Sequence, residues 1–415
     1  MKRAAVILAV VAGLPIAARA DDEPASESPK PAAEAETKAA QPEAKATKSA
    51  TAEDDDKPKR LEISGYLQPA LAIVYNGDAV PRDQLRYGAE PTRAGIELSG
   101  TPIPKWSYHL EIILAGETND LVTDVKTVDT NGDGVPDSVA PKTDLVPGIF
   151  VERAYLEYAI GSGFSVRAGQ YRIPFTVQEQ APSTELMFPT RSGPNEVFVQ
   201  GPDLGAEAVY HADDDLLIAR LGGFNGTGEP VDPMSVHGVV YSARVDVNPL
   251  GEFPIDEVAH TKRGPLRIGV GAGMLYFGSR HYDSAGYPGS QQRDFRMSAS
   301  FRMAVSGFYL QTEVLRRQQT DSLSNRPGIT SGAYTQASLY VPASIGVAPI
   351  ARIGWSAEDQ GFAERDTLSL EAGVAVYPEP TKTDAMRLLV EYRSERRLTE
   401  SEQAHAGVVQ AQIVW

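Results

Sequence analysis

The sequence predicts an all-β protein: a transmembrane antiparallel β-barrel of about 16 strands. Three observations lead there. Apolar residues recur with a period of two from Leu61 almost to the last residue, the signature of strands with one apolar and one polar face. The segments carrying that period run to about 9–14 residues, where globular strands average about five or six and membrane strands need about 9–11. The connections between them alternate long and short, as outer loops and periplasmic turns do in outer-membrane barrels.

Composition narrows the field first. The 415-residue chain carries a net charge of −16 and no cysteine. The negative charge argues against a general nucleic-acid binder. Without cysteine there is no disulfide framework, thiolate metal site or cysteine nucleophile. Residues 1–20, MKRAAVILAVVAGLPIAARA, combine a basic start, a short apolar run and an A-x-A ending. This predicts a secretory signal peptide. Residues 21–60 are rich in Ala, Pro, Glu and Lys and contain no aromatic residue. Such a stretch buries too little apolar surface to offset its ordering entropy, which predicts a disordered periplasmic segment. The barrel domain is then 61–415.

Strands are expected at 61–75, 89–99, 106–116, 150–160, 163–172, 204–211, 215–223, 238–248, 265–277, 292–304, 306–317, 332–341, 347–357, 366–378, 384–396 and 403–415. Three of them display the pattern clearly. In FRMSASFRM, Phe295, Met297, Ala299, Phe301 and Met303 oppose Arg296, Ser298, Ser300 and Arg302. In VVYSARVDV, Val239, Tyr241, Ala243 and Val245 oppose Ser242, Arg244 and Asp246. In DTLSLEAGVAVY, Leu368, Leu370, Ala372, Val374 and Val376 oppose Thr367, Ser369, Glu371 and Gly373. The final strand sets Val409, Ala411, Ile413 and Trp415 against Gln410 and Gln412, and a terminal aromatic suits an interfacial girdle. That ending resembles the signature read by the barrel-assembly machinery, so the expected surroundings are that machinery and outer-membrane lipid. One connection breaks the alternation: Asn248 to Gly264 is long where a short turn is expected.

The fifth and sixth strands are separated by about thirty residues, far more than the handful of an ordinary hairpin. Ile173 and Pro174 end the fifth strand, and Pro182, Pro189 and Pro194 keep the segment out of β-pairing. Several stretches around this point resemble the phosphate-selective porin O and P family. SGYLQPALAIVY (Ser64 to Tyr75) is similar to its first strand, and RAYLEYAI and FSVRAGQYRIPFT to its fourth and fifth. Phe188, Arg191 and Ser192 in FPTRS resemble the F-x-x-R-S of its constriction loop, folded inward after strand 5, and GPDLGAEAVY resembles the return into its sixth strand. The resemblance implies an outer-membrane porin that admits small hydrophilic solutes or ions, including anions such as phosphate. It also implies a homotrimer and an inward loop narrowing the lumen.

On that reading the pore-lining set includes Arg153, Arg167, Arg172, Arg352 and Arg387 on the walls. Glu179, Glu185 and Arg191 lie in the loop, whose balance is acidic. The lysine cluster of the family's phosphate binders has no counterpart there, so a mixed solute pore is the safer expectation. For each wall arginine the alternative is a salt bridge that holds the barrel round.

Two further patterns bear on metal binding and catalysis. In DTNGDGVPD, Asp129, Asn131, Asp133 and Asp137 space their oxygens as calcium loops do, with Gly134 at the sharp turn. Ala140 stands where an EF-hand has its bidentate glutamate, and the alternative is a solvated acidic turn. No cofactor is required. Catalysis finds no constellation: the six histidines are scattered, and no G-x-S-x-G or H-E-x-x-H is present. The competing classes are a non-conducting surface or adhesion barrel and a barrel-embedded hydrolase.

Overall fold

The computed structural model describes residues 61–77, 84–114, 125–128, 138–141, 149–212, 215–226, 236–258, 264–282, 288–321, 328–359, 364–379, 385–398 and 403–415. The expected signal peptide and periplasmic segment, and the calcium residues Asp129, Asn131, Asp133 and Asp137, lie outside them.

Sixteen strands close into one antiparallel ring. In chain order the first part is β1 (Glu62–Asn76), β2 (Leu85–Ile103) and β3 (Trp106–Ile113). A separate two-stranded sheet follows, β4 (Val125–Val128) with β5 (Ser138–Pro141). The ring resumes with β6 (Phe150–Gly161), β7 (Phe164–Arg172), β8 (Pro202–His211), β9 (Leu217–Phe224) and β10 (Val236–Val247). Then come β11 (Arg267–Tyr282), β12 (Pro288–Val305), β13 (Phe308–Asp321) and β14 (Gly328–Leu339). The last four are β15 (Gly346–Asp359), β16 (Glu364–Tyr377), β17 (Met386–Arg397) and β18 (Gln403–Val414). Every expected strand has its counterpart, and β7 is the fifth of the ring. Pairing of β1 with β18, for example Leu67 opposite Ile413, closes it. Closure removes the edges whose unpaired amides could not be tolerated in lipid.

The alternation in the sequence now acquires an inside and an outside. Met297, Phe301, Tyr241, Val245, Leu370, Val374, Val409 and Ile413 are exposed, while Arg296, Ser298, Arg244, Asp246, Glu371 and Gln410 are buried. Apolar groups therefore face outward and polar groups inward, the reverse of a soluble sandwich and the arrangement of a barrel in lipid. Exposed aromatics collect toward both ends of the strands. Trp106, Tyr158, Phe164 and Trp415 lie near the short turns, and Tyr75, Tyr87 and Phe150 toward the long connections. These form the two interfacial girdles.

The short turns have a local cause. Ser162–Gly163 and Ser306–Gly307 hold both central residues at positive φ (51° and 78°, 49° and 89°), the twist that suits two-residue hairpins. In β1, Pro69 offers no N–H to the ladder, and the pairing with β2 slips by one residue there, between Gln68 and Ala70.

Leu370 sits at the middle of β16 and points outward, 48% exposed. Leu370→Arg is expected to cost about 2–4 kcal/mol in lipid-refolded barrel, as for a basic residue at the bilayer midplane. Ser107→Arg, on the inward face opposite Glu157, should cost far less. Denaturant titration in vesicles compares the two.

Candidate functional site

The long segment between β7 and β8 crosses the interior of the ring. It contains two short helices, α1 (Val177–Gln180) and α2 (Gly193–Phe198), and a 3-10 turn at Ser183–Glu185. Each helix starts on a hydroxyl cap: Thr176 accepts from Glu179 N, and Ser192 from Asn195 N. Thr176 Oγ1 also donates to Asn195 Oδ1 at 2.6 Å, tying the two helix starts together. Gln178, fully buried, accepts from Ser192 N at 2.8 Å.

Its route follows from its wall contacts. The Phe175 carbonyl accepts from Arg244 Nη1 on β10 at 2.7 Å and from Ser298 Oγ on β12 at 2.8 Å. Eight residues later the Ser183 carbonyl accepts from Gln68 Nε2 on β1 at 3.3 Å. In the ring order β1 stands across from the β10–β12 wall, so a chain touching both passes through the lumen. The segment then runs along the β18–β14 wall. Thr184 O accepts from Gln412 Nε2 at 3.0 Å, Leu186 O from Arg387 Nη1 at 2.6 Å, and Thr190 O from Arg352 Nη1 at 3.1 Å. Phe198 O accepts from Arg296 Nη1 at 2.6 Å back on β12.

Wall arginines thus act as clamps on backbone carbonyls that would otherwise lie buried without a donor. Most also hold an acid. Arg244 pairs with Asp246, Arg296 with Asp294 and Arg352 with Glu371. Apolar packing completes the docking: Phe175 and Phe198 join Phe224, Val240, Leu275 and Leu315, while Met187 and Phe188 join Phe253, Tyr309, Tyr340 and Ile350. Gly273 on β11 makes room, since a Cβ there would collide with the Phe175 carbonyl.

The expected loop charges are placed as follows. Arg191 is buried within the segment, donating to Gln178 O at 3.2 Å and Ala181 O at 2.9 Å, with Glu179 Oε2 at 3.5 Å. Glu179 also holds Arg172 at 2.6 Å, and Arg172 pairs with Glu152. Glu185 is half-buried on the 3-10 turn.

Sequence reasoning missed a second inward segment. Residues 248–258, the long connection that broke the alternation, fold against the first from the opposite end. Glu257 accepts from Gln178 Nε2 at 3.0 Å and Met187 N at 2.8 Å, and its own N–H donates to Glu185 O at 3.0 Å. Arg302 donates to Pro254 O at 2.8 Å and lies over the Phe253 ring. The apolar residues Phe253 and Val258 inside a polar connection were the available signal.

One wall stays open. On β10–β18, Arg244, Glu313, Gln336, Arg352, Arg387 and Gln412 are only 0–3% exposed. On β2, β3, β6 and β7, the inward Glu97, Ser99, His109, Arg153, Tyr155, Glu157 and Arg167 are partly exposed, while Arg93, Glu111, Glu152 and Tyr171 on the same strands are buried. Charges there are paired across strands: Arg153 with Glu111 at 3.3 Å, and Arg167 with Glu157 at 2.8 Å and Glu207 at 3.0 Å.

A closed sixteen-stranded ring with an apolar outer belt, aromatic girdles and a polar interior defines an outer-membrane-type barrel. Solved structures share it. The outer membrane channel DcaP of Acinetobacter baumannii aligns over 86% of this chain and 97% of its own, with a TM-score of 0.55 at 12% identity. The anion-selective porin of Comamonas acidovorans aligns over 86% and 100%, with a TM-score of 0.50 at 13% identity. The trimer form of in-vitro folded OmpT, an outer membrane protein of Vibrio cholerae, aligns over 86% and 99%, with a TM-score of 0.50 at 12% identity. No protein-family model and no curated protein matches the chain.

Proposed function

We propose that the protein is an outer-membrane porin: a passive channel for small hydrophilic solutes, with its path along the β2–β7 wall beside the docked segment. The observation that carries this reading is the asymmetry of exposure. A ring of this size is too wide for its side chains to fill. The two inward segments cover the β10–β18 wall and leave part of the facing polar wall accessible, at Glu97, Ser99, Arg153, Glu157 and Arg167. Fixed charges along a narrow aqueous path bias which ions enter it.

That path is mixed in sign. The partly exposed Glu97 and Glu157 stand beside Arg153 and Arg167, with Glu111 and Glu207 buried behind them. The clamps Arg352 and Arg387 are spent on the docked segment. A mixed solute pore with at most weak ion preference fits this better than the phosphate-selective pore that the sequence resemblance implies. A homotrimer, the form of the Vibrio cholerae neighbour, belongs to the same reading and is checked by crosslinking in native membranes.

Single-channel recording of purified protein in planar bilayers is the test. Discrete ohmic steps with a small reversal potential in a salt gradient are expected. A folded, inserted protein without steps would overturn the channel reading and favour a non-conducting surface barrel.

A further inference from the structure

On the open wall, Glu97 of β2 and Glu111 of β3 stand directly opposite each other. Like charges in that position destabilise a strand pair unless something intervenes. His109 lies two residues before Glu111 on the same inward face, opposite Ser99. One donor atom from each of the three side chains lies within 4.8 Å of the others.

Their present partners leave donor atoms unused. Tyr66 Oη donates to Glu111 Oε1 at 3.2 Å, and Ser64 Oγ to Glu97 Oε2 at 3.4 Å. Glu111 Oε2 faces Arg153 Nε at 3.3 Å as an ion pair but takes no hydrogen bond. His109 Nε2 is enclosed and has no hydrogen-bond partner. Glu111 is 3% exposed. A buried imidazole nitrogen without a partner is a costly arrangement, and each such group calls for a physical reason. Tyr155 stacks on the imidazole, 5.4 Å between centroids and 11° between planes. That stacking holds the ring in place whether or not a ligand is bound.

We propose that Glu97, His109 and Glu111 form a binding site for a zinc-like divalent cation on the open wall of the lumen. One nitrogen and two carboxylate oxygens suit zinc, with the lumen side left for water. The imidazole favours zinc, cobalt and nickel over calcium and magnesium, which prefer oxygen alone. Ligand atoms bonded at about 2.0–2.1 Å in a tetrahedron stand roughly 3.4 Å apart, so modest side-chain rotations close the set. The cation would relieve the Glu97–Glu111 repulsion. It displaces Arg153, whose side chain is 18% exposed and can turn into the lumen. Arg153 is therefore a built-in competitor. Occupancy adds two positive charges to the open path and lowers conductance; this consequence alone rests on the channel reading.

The test is calorimetry of the refolded full-length barrel with zinc chloride, repeated with cobalt, whose visible absorption reports nitrogen ligation. Wild type should bind one zinc more than His109→Ala at matched concentration. His109→Gln and Glu97→Gln should each weaken that binding by about tenfold or more, and Arg153→Gln should tighten it. Heat-modifiable gel migration checks that each variant is folded; calcium uptake should not respond to His109→Ala. Equal zinc uptake by wild type, His109→Gln and Glu97→Gln would overturn the site, as would weaker binding in Arg153→Gln. If zinc binds as expected but no channel is recorded with or without it, the site stands and the porin reading falls.

Discussion

Deleting Gln178 to Asn195 raises single-channel conductance several-fold and leaves the barrel folded. The conductance follows from geometry: the removed residues include the chord from the β10–β12 wall to β1 and the run along β18–β14. Survival of the barrel follows from the double engagement of the wall arginines. With the loop carbonyls gone, Arg352 keeps Glu371 and Arg387 keeps Gln412. Arg244 and Arg296 keep Asp246 and Asp294. No guanidinium in that set is stranded without a partner, which is the situation that makes broken buried pairs expensive. Glu257 does lose Gln178 and Met187, but water entering the widened lumen can replace those donors. Gly273→Val tests docking without removing charge, because its added atoms meet the Phe175 carbonyl. It should give a noisier, wider channel than wild type. Planar-bilayer recording measures both variants. Unchanged conductance in folded deletion protein would put the segment outside the permeation path.

The strands were legible in the sequence because a closed barrel in lipid imposes one rule on every residue. The face of each of Phe295 to Met303, or Val239 to Asp246, is decided by polarity alone. Register was not legible: the one-residue slip at Pro69 emerges only from the pairing of β1 with β2. Strand ends were less so: β2 extends to Leu85–Ile103, past the expected 89–99, because pairing with β1 continues beyond the apolar stretch. The interior was harder to read. Thr176 and Ser192 are ordinary helix caps, but α1 and α2 are too short to carry a period. The clamping role of Arg244, Arg296, Arg352 and Arg387 has no local signature either. Sequence placed these residues inward, but it could not say which distant carbonyl would meet each, 162 residues away for Arg352 and 201 for Arg387. Residues 248–258 stood out only as a connection of the wrong length.

Arg191→Glu is expected to undock the inward segment rather than retune the channel's charge preference. The sequence singles Arg191 out as the only lysine or arginine between Arg172 and Arg220, which suggests a filter charge. In the fold its guanidinium is buried, bonded to two carbonyls of its own segment and set beside Glu179. A carboxylate there would face Gln178 O, Ala181 O and Glu179 with no donor of its own. Removing one member of a buried pair costs about 3–5 kcal/mol, a large share of what docks so short a segment. The variant should therefore conduct more, flicker between levels, and expose the 178–195 stretch to protease added to intact vesicles. Arg191→Met keeps the apolar stem and removes the charge. It leaves Glu179 with Arg172 as its partner, so its effect should be smaller and of the same kind. A filter charge predicts the opposite pattern: a shifted reversal potential, unchanged conductance and unchanged protease resistance. That outcome would return Arg191 to the permeation path and remove it from the clamp. The two readings differ in conductance and in proteolysis at once, so one set of proteoliposomes carrying wild type and both variants decides between them.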